Sequence, residues 1–172
     1  MTRFWLFSSL PYYTISVLII IYIWSCHNFG SYWFFVWVTY AVIPTIDQFL
    51  PNDEANPTPE EEKVLAKQFK WDIPMYTWMI LETIGTFWSV WYVGAYSMSI
   101  TNYLGLILTQ GSIVGLGITV SHEMMHKKSL LWKGIGVWQL SKCGYGHFYI
   151  EHLYGHHKHV STPGDPASAK LN

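Results

Sequence analysis

Charge is scarce in this sequence. Asp, Glu, Lys and Arg make up 12% of its 172 residues, against roughly 25% in a soluble domain. The net charge is −1, which excludes the basic footprint of a nucleic-acid-binding chain. Cysteine is scarce too. Cys26 and Cys143 stand far apart with no CxxC spacing, so neither a disulfide framework nor a zinc ribbon is encoded. The first apolar run lacks a small-residue cleavage site and is long enough to span a membrane, so no cleavable signal peptide is expected. There is no internal repeat.

What the chain has in abundance is apolar and aromatic. Apolar residues make up 51% and aromatic residues 18%, and Trp and Tyr favour the membrane–water interface. Four stretches of roughly twenty residues, the length a helix needs to cross the hydrocarbon core, lie at about Phe4 to Ser25, Ser31 to Leu50, Ile73 to Val93 and Thr101 to Val120. The first two and the last two are joined by short connections, so they pair as hairpins. Arg3 precedes the first stretch; Lys63, Lys67 and Lys70 lie between the second and third; the other six lysines, from Lys127 to Lys170, follow the fourth. Under a four-span reading all ten basic residues fall on one side, which the positive-inside rule makes cytoplasmic. Residues 1–172 thus read as a single integral-membrane domain. It is an all-α, multi-pass transmembrane bundle of about four spans in two hairpins, with its N-terminus on the cytoplasmic side.

Smaller signals mark the joints. The Pro51–Pro59 loop breaks the second span. Thr58-Pro59-Glu60-Glu61 then has the pattern of a helix start, with Thr58 as N-cap and Glu at N3, opening a polar helix to about Phe69. Glu82 falls in the middle of the third span, where a carboxylate is costly unless it is protonated, paired or faces a cavity. The fourth span carries Gly105, Gly111, Gly115 and Gly117, small residues that let membrane helices approach closely.

Seven of the eight histidines fall between His122 and His159. His122 and His126 are four apart, as are His152 and His156, with His157 next. Residues i and i+4 share one face of a helix, and neutral imidazole is the commonest protein metal ligand. Segment 122–166 is therefore expected to bind metal, on the cytoplasmic side, through His122, His126, His152, His156 and His157. HEMMH alone fits a zinc metalloprotease with Glu123 as general base. Five imidazoles in two clusters exceed one catalytic zinc, which takes three protein ligands and water, and suit two ions, iron as well as zinc. Metal-bound imidazoles usually give their other N–H to a carboxylate or carbonyl. Glu123, Glu151, Asp165 and His147 are the candidates for such support.

The runs HEMMHK, HFYIEHLYGHH and VSTPGDPASA, with IPTIDQFLPNDEANP ahead of them, resemble the first two histidine boxes of the membrane-bound alkane 1-monooxygenases, within the fatty acid desaturase/hydroxylase superfamily. The resemblance takes in most of the chain. It implies six membrane helices, a di-iron centre held by histidines, and insertion of one atom of O₂ into a terminal C–H bond of an alkane, with electrons from a rubredoxin-type donor. Position by position it makes the same five histidines iron ligands, and gives His159 no ligand role. It also implies a third box, HxxHH, that this sequence does not contain, so the chain reads as the N-terminal part of such an enzyme. An intramembrane zinc protease using HExxH, an enzyme of fatty-acyl chains, and a non-catalytic metal-binding membrane fragment are the competing readings. Substrate chain length and oligomeric state are not encoded legibly.

Overall fold

A computed structural model describes residues 8–50, 56–165, 167 and 168. Arg3, the start of the first expected span, most of the Pro51–Pro59 loop, Pro166 and Lys170 lie outside the described residues. Among those residues every regular element is helical, as the composition predicts. The helices are α1 (Thr14–Phe29), α2 (Phe34–Trp37), α3 (Ile43–Asp47), α4 (Pro59–Leu65), α5 (Ile73–Ala95), α6 (Ile100–Met125), α7 (Leu130–Lys142), α8 (Phe148–Ile150) and α9 (His157–His159). A π-helical turn, Val38–Val42, joins α2 to α3, and a second, Glu151–His156, joins α8 to α9. The chain divides into two compact units, residues 1–113 and 114–172, with the division inside α6.

In the first unit α1 packs along α5. Gly85 leaves room for Ile19, whose Cγ2 would lie 3.6 Å from a Cβ placed there. Tyr22 sits edge-on to Phe35 and Trp88, and Ile19, Tyr22 and Phe35 are fully buried. Close packing and hydrogen bonds between helices this apolar do the holding. The hydrogen bonds are present: the Thr109 hydroxyl donates to the Tyr32 carbonyl at 2.9 Å, and the Tyr32 and Tyr92 hydroxyls meet at 3.1 Å. Gly105 accommodates the Trp33 indole, which would stand 2.7 Å from an added Cβ, whereas Gly111 and Gly115 face open space. Of the glycines expected to permit close packing, Gly105 therefore does so within this unit.

Glu82 is buried at 1% exposure. The Thr86 hydroxyl donates to its Oε1 at 3.0 Å, the Gln110 amide donates to Thr86 at 2.8 Å, and Ser89 donates to Gln110 at 3.0 Å. A carboxylate that would be costly in hydrocarbon is satisfied by a polar ladder between α5 and α6. The outward faces are the reverse: Ile20 and Trp24 on α1, and Ile80, Ile84, Phe87 and Val90 on α5, are exposed.

Among the described residues two helical stretches are long and apolar enough to cross a membrane, Leu10–Phe29 and Ile100–Met125; Phe34–Asp47 is apolar but shorter. The α4 start matches its sequence pattern. Thr58 caps the Glu61 amide while the Glu61 carboxylate accepts from the Thr58 N–H at 2.9 Å. The helix ends at Leu65 rather than near Phe69, because Lys67 and Gln68 bond back three residues and tighten the last turn.

Candidate metal centre

Everything at this site lies in the second unit. The end of α6 carries His122 and, just past its last residue Met125, His126. Packing of α7 fixes that end. Gly136 is buried, and a Cβ there would stand 2.9 Å from the Met124 Cβ and 3.1 Å from the Ser121 carbonyl. Met124, Met125 and Leu140 are wholly buried at this contact. The chain leaves α7 through Gly144, whose φ of +73° suits glycine. Tyr145 stacks on Phe148, and Phe148 stacks on His152, with centroids 5.0 and 4.9 Å apart.

The second cluster arrives on the π turn. An α-helix sets i+4 beside i, whereas π winding bonds i to i+5. His152 and His157, five apart, therefore meet with Nε2 atoms 2.9 Å apart. His152 Nε2 also lies 2.7 Å from His122 Nε2 and 3.3 Å from His126 Nε2, and the latter two are 3.3 Å apart. The ligand atoms of His122, His126, His152 and His157 all fall within 4.8 Å of one another. The expected pair and the expected trio thus share one focus, through four of the five histidines.

His156 is turned elsewhere. Its Nδ1 sits 2.9 and 3.1 Å from the two carboxylate oxygens of Asp165. Asp165 is buried and well satisfied: the Ala167 N–H donates to it at 2.9 Å, and the Ser168 hydroxyl makes a short hydrogen bond to Oδ2. Ser168 in turn accepts from the Ser161 N–H at 3.1 Å, across a turn in which Ser161 takes a φ of +63°. The Ser168 hydrogen bond, the Ala167 N–H and His156 together depress the Asp165 carboxyl to about 2. With Nδ1 engaged by Asp165, the nitrogen His156 has left to offer is Nε2.

The other candidates for support are looser. Glu123 reaches only to 3.6 Å from His122 Nδ1, too long for a hydrogen bond. Glu151 lies 4.0 Å from His147 Nε2, both exposed, so these two are paired with each other rather than with the converging rings. His147 also lies edge-on to Tyr145. His159 is exposed, and His27 lies in the last turn of α1, in the first unit. Sequence reasoning missed Ser168 and Phe148. The first had a signal: Asp followed three residues later by Ser is a local side-chain bonding pattern.

Burial and the neighbouring His122 and His157 rings lower the affinity of His152 for a proton, to about 4, and burial with the same neighbours lowers that of His126. Crowded imidazoles that resist protonation are neutral nitrogen donors aimed at one point, which is the donor set a transition metal takes.

No family profile matches the chain. Individual curated proteins do. It is 35% identical to an alkane 1-monooxygenase of Pseudomonas putida over 134 residues, 78% of this chain and 33% of that protein. It is 32% identical to alkane 1-monooxygenase 1 of Alcanivorax borkumensis over 132 residues, 77% of this chain and 33% of that one. For alkane 1-monooxygenase 2 of Pseudomonas aeruginosa the figures are 34% over 150 residues, 80% of this chain and 37% of the relative. The chain spans about one third of the length of the first two of these relatives and slightly more of the third. Several such matches over most of the chain carry one conclusion: its sequence is similar to the part of the alkane 1-monooxygenases that it spans, as a partial alkane 1-monooxygenase would be.

Proposed function

We propose that this chain supplies the first histidine ligands of a non-haem di-iron centre in a membrane alkane hydroxylase, which inserts one atom of O₂ into the terminal C–H bond of an alkane or fatty-acyl chain. The observation that carries the reading is the meeting of His122, His126, His152 and His157 at one focus. Donors bound to one ion at ~2.1 Å stand about 3 to 3.4 Å apart at octahedral or tetrahedral angles; the close nitrogen separations are 2.7, 2.9 and 3.3 Å, and all four ligand atoms lie within 4.8 Å, so a small inward shift brings them round one ion. The residues therefore fit a metal. His156, steadied by Asp165 through Nδ1, is the fifth ligand, with Nε2 left to bind. Five imidazoles do not fill two coordination spheres, so further donors complete the centre. When bound, the iron pair supplies the oxidant. The protein's own residues do the holding: His152 is the hub of the cluster, Phe148 covers one face of its ring, and Asp165 keeps His156 in one tautomer.

The substrate reaches the site through the bilayer, and electrons come from a rubredoxin-type donor. Residues 1–172 form one integral-membrane domain with four spans, the N-terminus and the histidine segment 122–166 lying on the cytoplasmic side. The lysine partition supports that sidedness, and the inward Glu82 ladder with outward Ile80, Ile84 and Phe87 supports α5 as a span. Glu123, 3.6 Å from His122 Nδ1, steadies that ligand electrostatically, while Glu151 and His147 support the region only through their own pairing. A zinc protease built on HExxH is less favoured, since it leaves His152 and His157 without a role. A non-catalytic metal-binding fragment would share the cluster but lack turnover.

Anaerobic loading of the purified chain with Fe(II), followed by metal analysis, tests the reading. His152→Ala should lose most of the bound iron, while His159→Ala keeps it. Iron retention unaffected by His152→Ala, or a single zinc with peptidase activity lost in Glu123→Gln, would overturn it.

A further inference from the structure

The helix α7 has a role that neither the metal cluster nor the spans account for. Its 13 residues extend about 20 Å at 1.5 Å per residue, too short to cross a hydrocarbon core of about 30 Å. One side of it is already used: Gly136, Gln139 and Leu140 are buried. The opposite side presents Leu131 and Trp138, seven residues apart and so on one face, flanked by Leu130. Their exposures are 66%, 44% and 84%. Lys142 lies over the Trp138 ring, its Nζ 4.8 Å from the centroid, and Lys128 is exposed just ahead of the helix. From Lys127 to Lys142 the sequence holds four lysines and no Asp or Glu. The whole helix begins five residues after Met125, where the apolar stretch Ile100–Met125 ends.

We propose that α7 lies in the plane of the membrane surface, its Leu131–Trp138 face in the acyl boundary and its flanking lysines on anionic lipid headgroups. A short apolar face edged by cations is the pattern of an interfacial helix. A basic cluster directly after a spanning helix is drawn to anionic lipid. A soluble protein partner would not explain why the face starts where a span ends. The proposal rests on the membrane reading above. It goes beyond that reading by giving this helix a lipid partner of stated charge.

Spin-label accessibility in the full chain tests it, in a Cys143→Ser background, with labels at Leu131→Cys, at Leu108→Cys on α6 as the span control, and at Glu62→Cys on α4 as the water control. The vesicles are phosphatidylcholine with and without phosphatidylglycerol. The Leu131 label should collide with O₂ in preference to an aqueous nickel chelate, as the Leu108 label does. Adding phosphatidylglycerol should strengthen that preference several-fold, and Lys128→Gln with Lys142→Gln should remove the gain. A Leu131 label as open to nickel as the Glu62 label, with Leu108 still in lipid, overturns this proposal and leaves the membrane reading standing. Loss of the Leu108 signature overturns both. Burial indifferent to headgroup charge overturns the anionic assignment.

Discussion

His156 and Asp165 stand 2.9 Å apart with the carboxylate buried, closer than His122 to Glu123 or His147 to Glu151. A carboxylate behind a ligand imidazole fixes its tautomer and raises its basicity, and such partners are worth about 10–100-fold in metal affinity. Asp165→Asn should therefore weaken Fe(II) binding within that range in a competition titration, with Ser168→Ala moving in the same direction by less. Equal affinity in wild type and Asp165→Asn would show that the pair only braces the turn. At His152 the sign runs the other way for protons. Its folded value of about 4 lies below the ordinary 6.5, so on acidification the unfolded chain binds the proton first. The metal-free protein should be insensitive to this group above pH 6.5 and lose stability as pH falls from there towards 4. Unfolding followed across that window should show a slope that His152→Asn flattens. The sequence displayed the five histidines and Asp165 by spacing and turn pattern. Ser168 was marked only by its place three residues after Asp165; its second bond, from the Ser161 N–H, depends on a backbone turn that no residue type announces.

Among the elements, α7 holds the end of α6 through a glycine. Gly136→Ala places a methyl against the Met124 Cβ at 2.9 Å and the Ser121 carbonyl at 3.1 Å. Neither atom is the free end of a flexible side chain, so the helices must separate. Overpacking of this kind costs about 1–3 kcal/mol, and thermal unfolding in micelles should report it, together with weaker metal binding, since His122 adjoins the displaced segment. An unchanged midpoint would mean that α7 is not the brace. The element types were legible: apolar runs gave the long helices, and Thr58-Pro59-Glu60-Glu61 gave the α4 cap. Winding was not. HxxxH reads correctly on α-helical α6, where His122 and His126 meet. The same i,i+4 rule applied to Glu151–His156 brings the donors of His152 and His156 together, whereas on the π turn those two rings only stack, with centroids 5.7 Å apart, and the Nε2 that meets His152 is that of His157. Nothing in the side chains EHLYGH marks that change of pitch.

For the molecule as a whole, the first unit carries a polar ladder inside an apolar exterior. Glu82→Gln keeps an acceptor for Thr86 and should change stability by less than about 1 kcal/mol; Glu82→Ala leaves buried hydroxyl and amide groups to find new partners and should cost about 1–3 kcal/mol. Equal losses for the two substitutions, measured by unfolding in micelles, would mean that packing volume rather than hydrogen bonding holds Glu82 in place. The sequence flagged Glu82 by its position in a span but not its link to Gln110, because that link joins two helices. The second unit differs in a way that bears on biogenesis. His122 and His152, the closest pair of the cluster, are 30 residues apart in the chain, and the entropy of closing so short a loop is modest. During synthesis the cluster is thus free to assemble once residue 157 has left the ribosome, ahead of any later segment. A metal ion captured at that stage would pin the end of α6 to the Glu151–His156 turn while the chain is still being made.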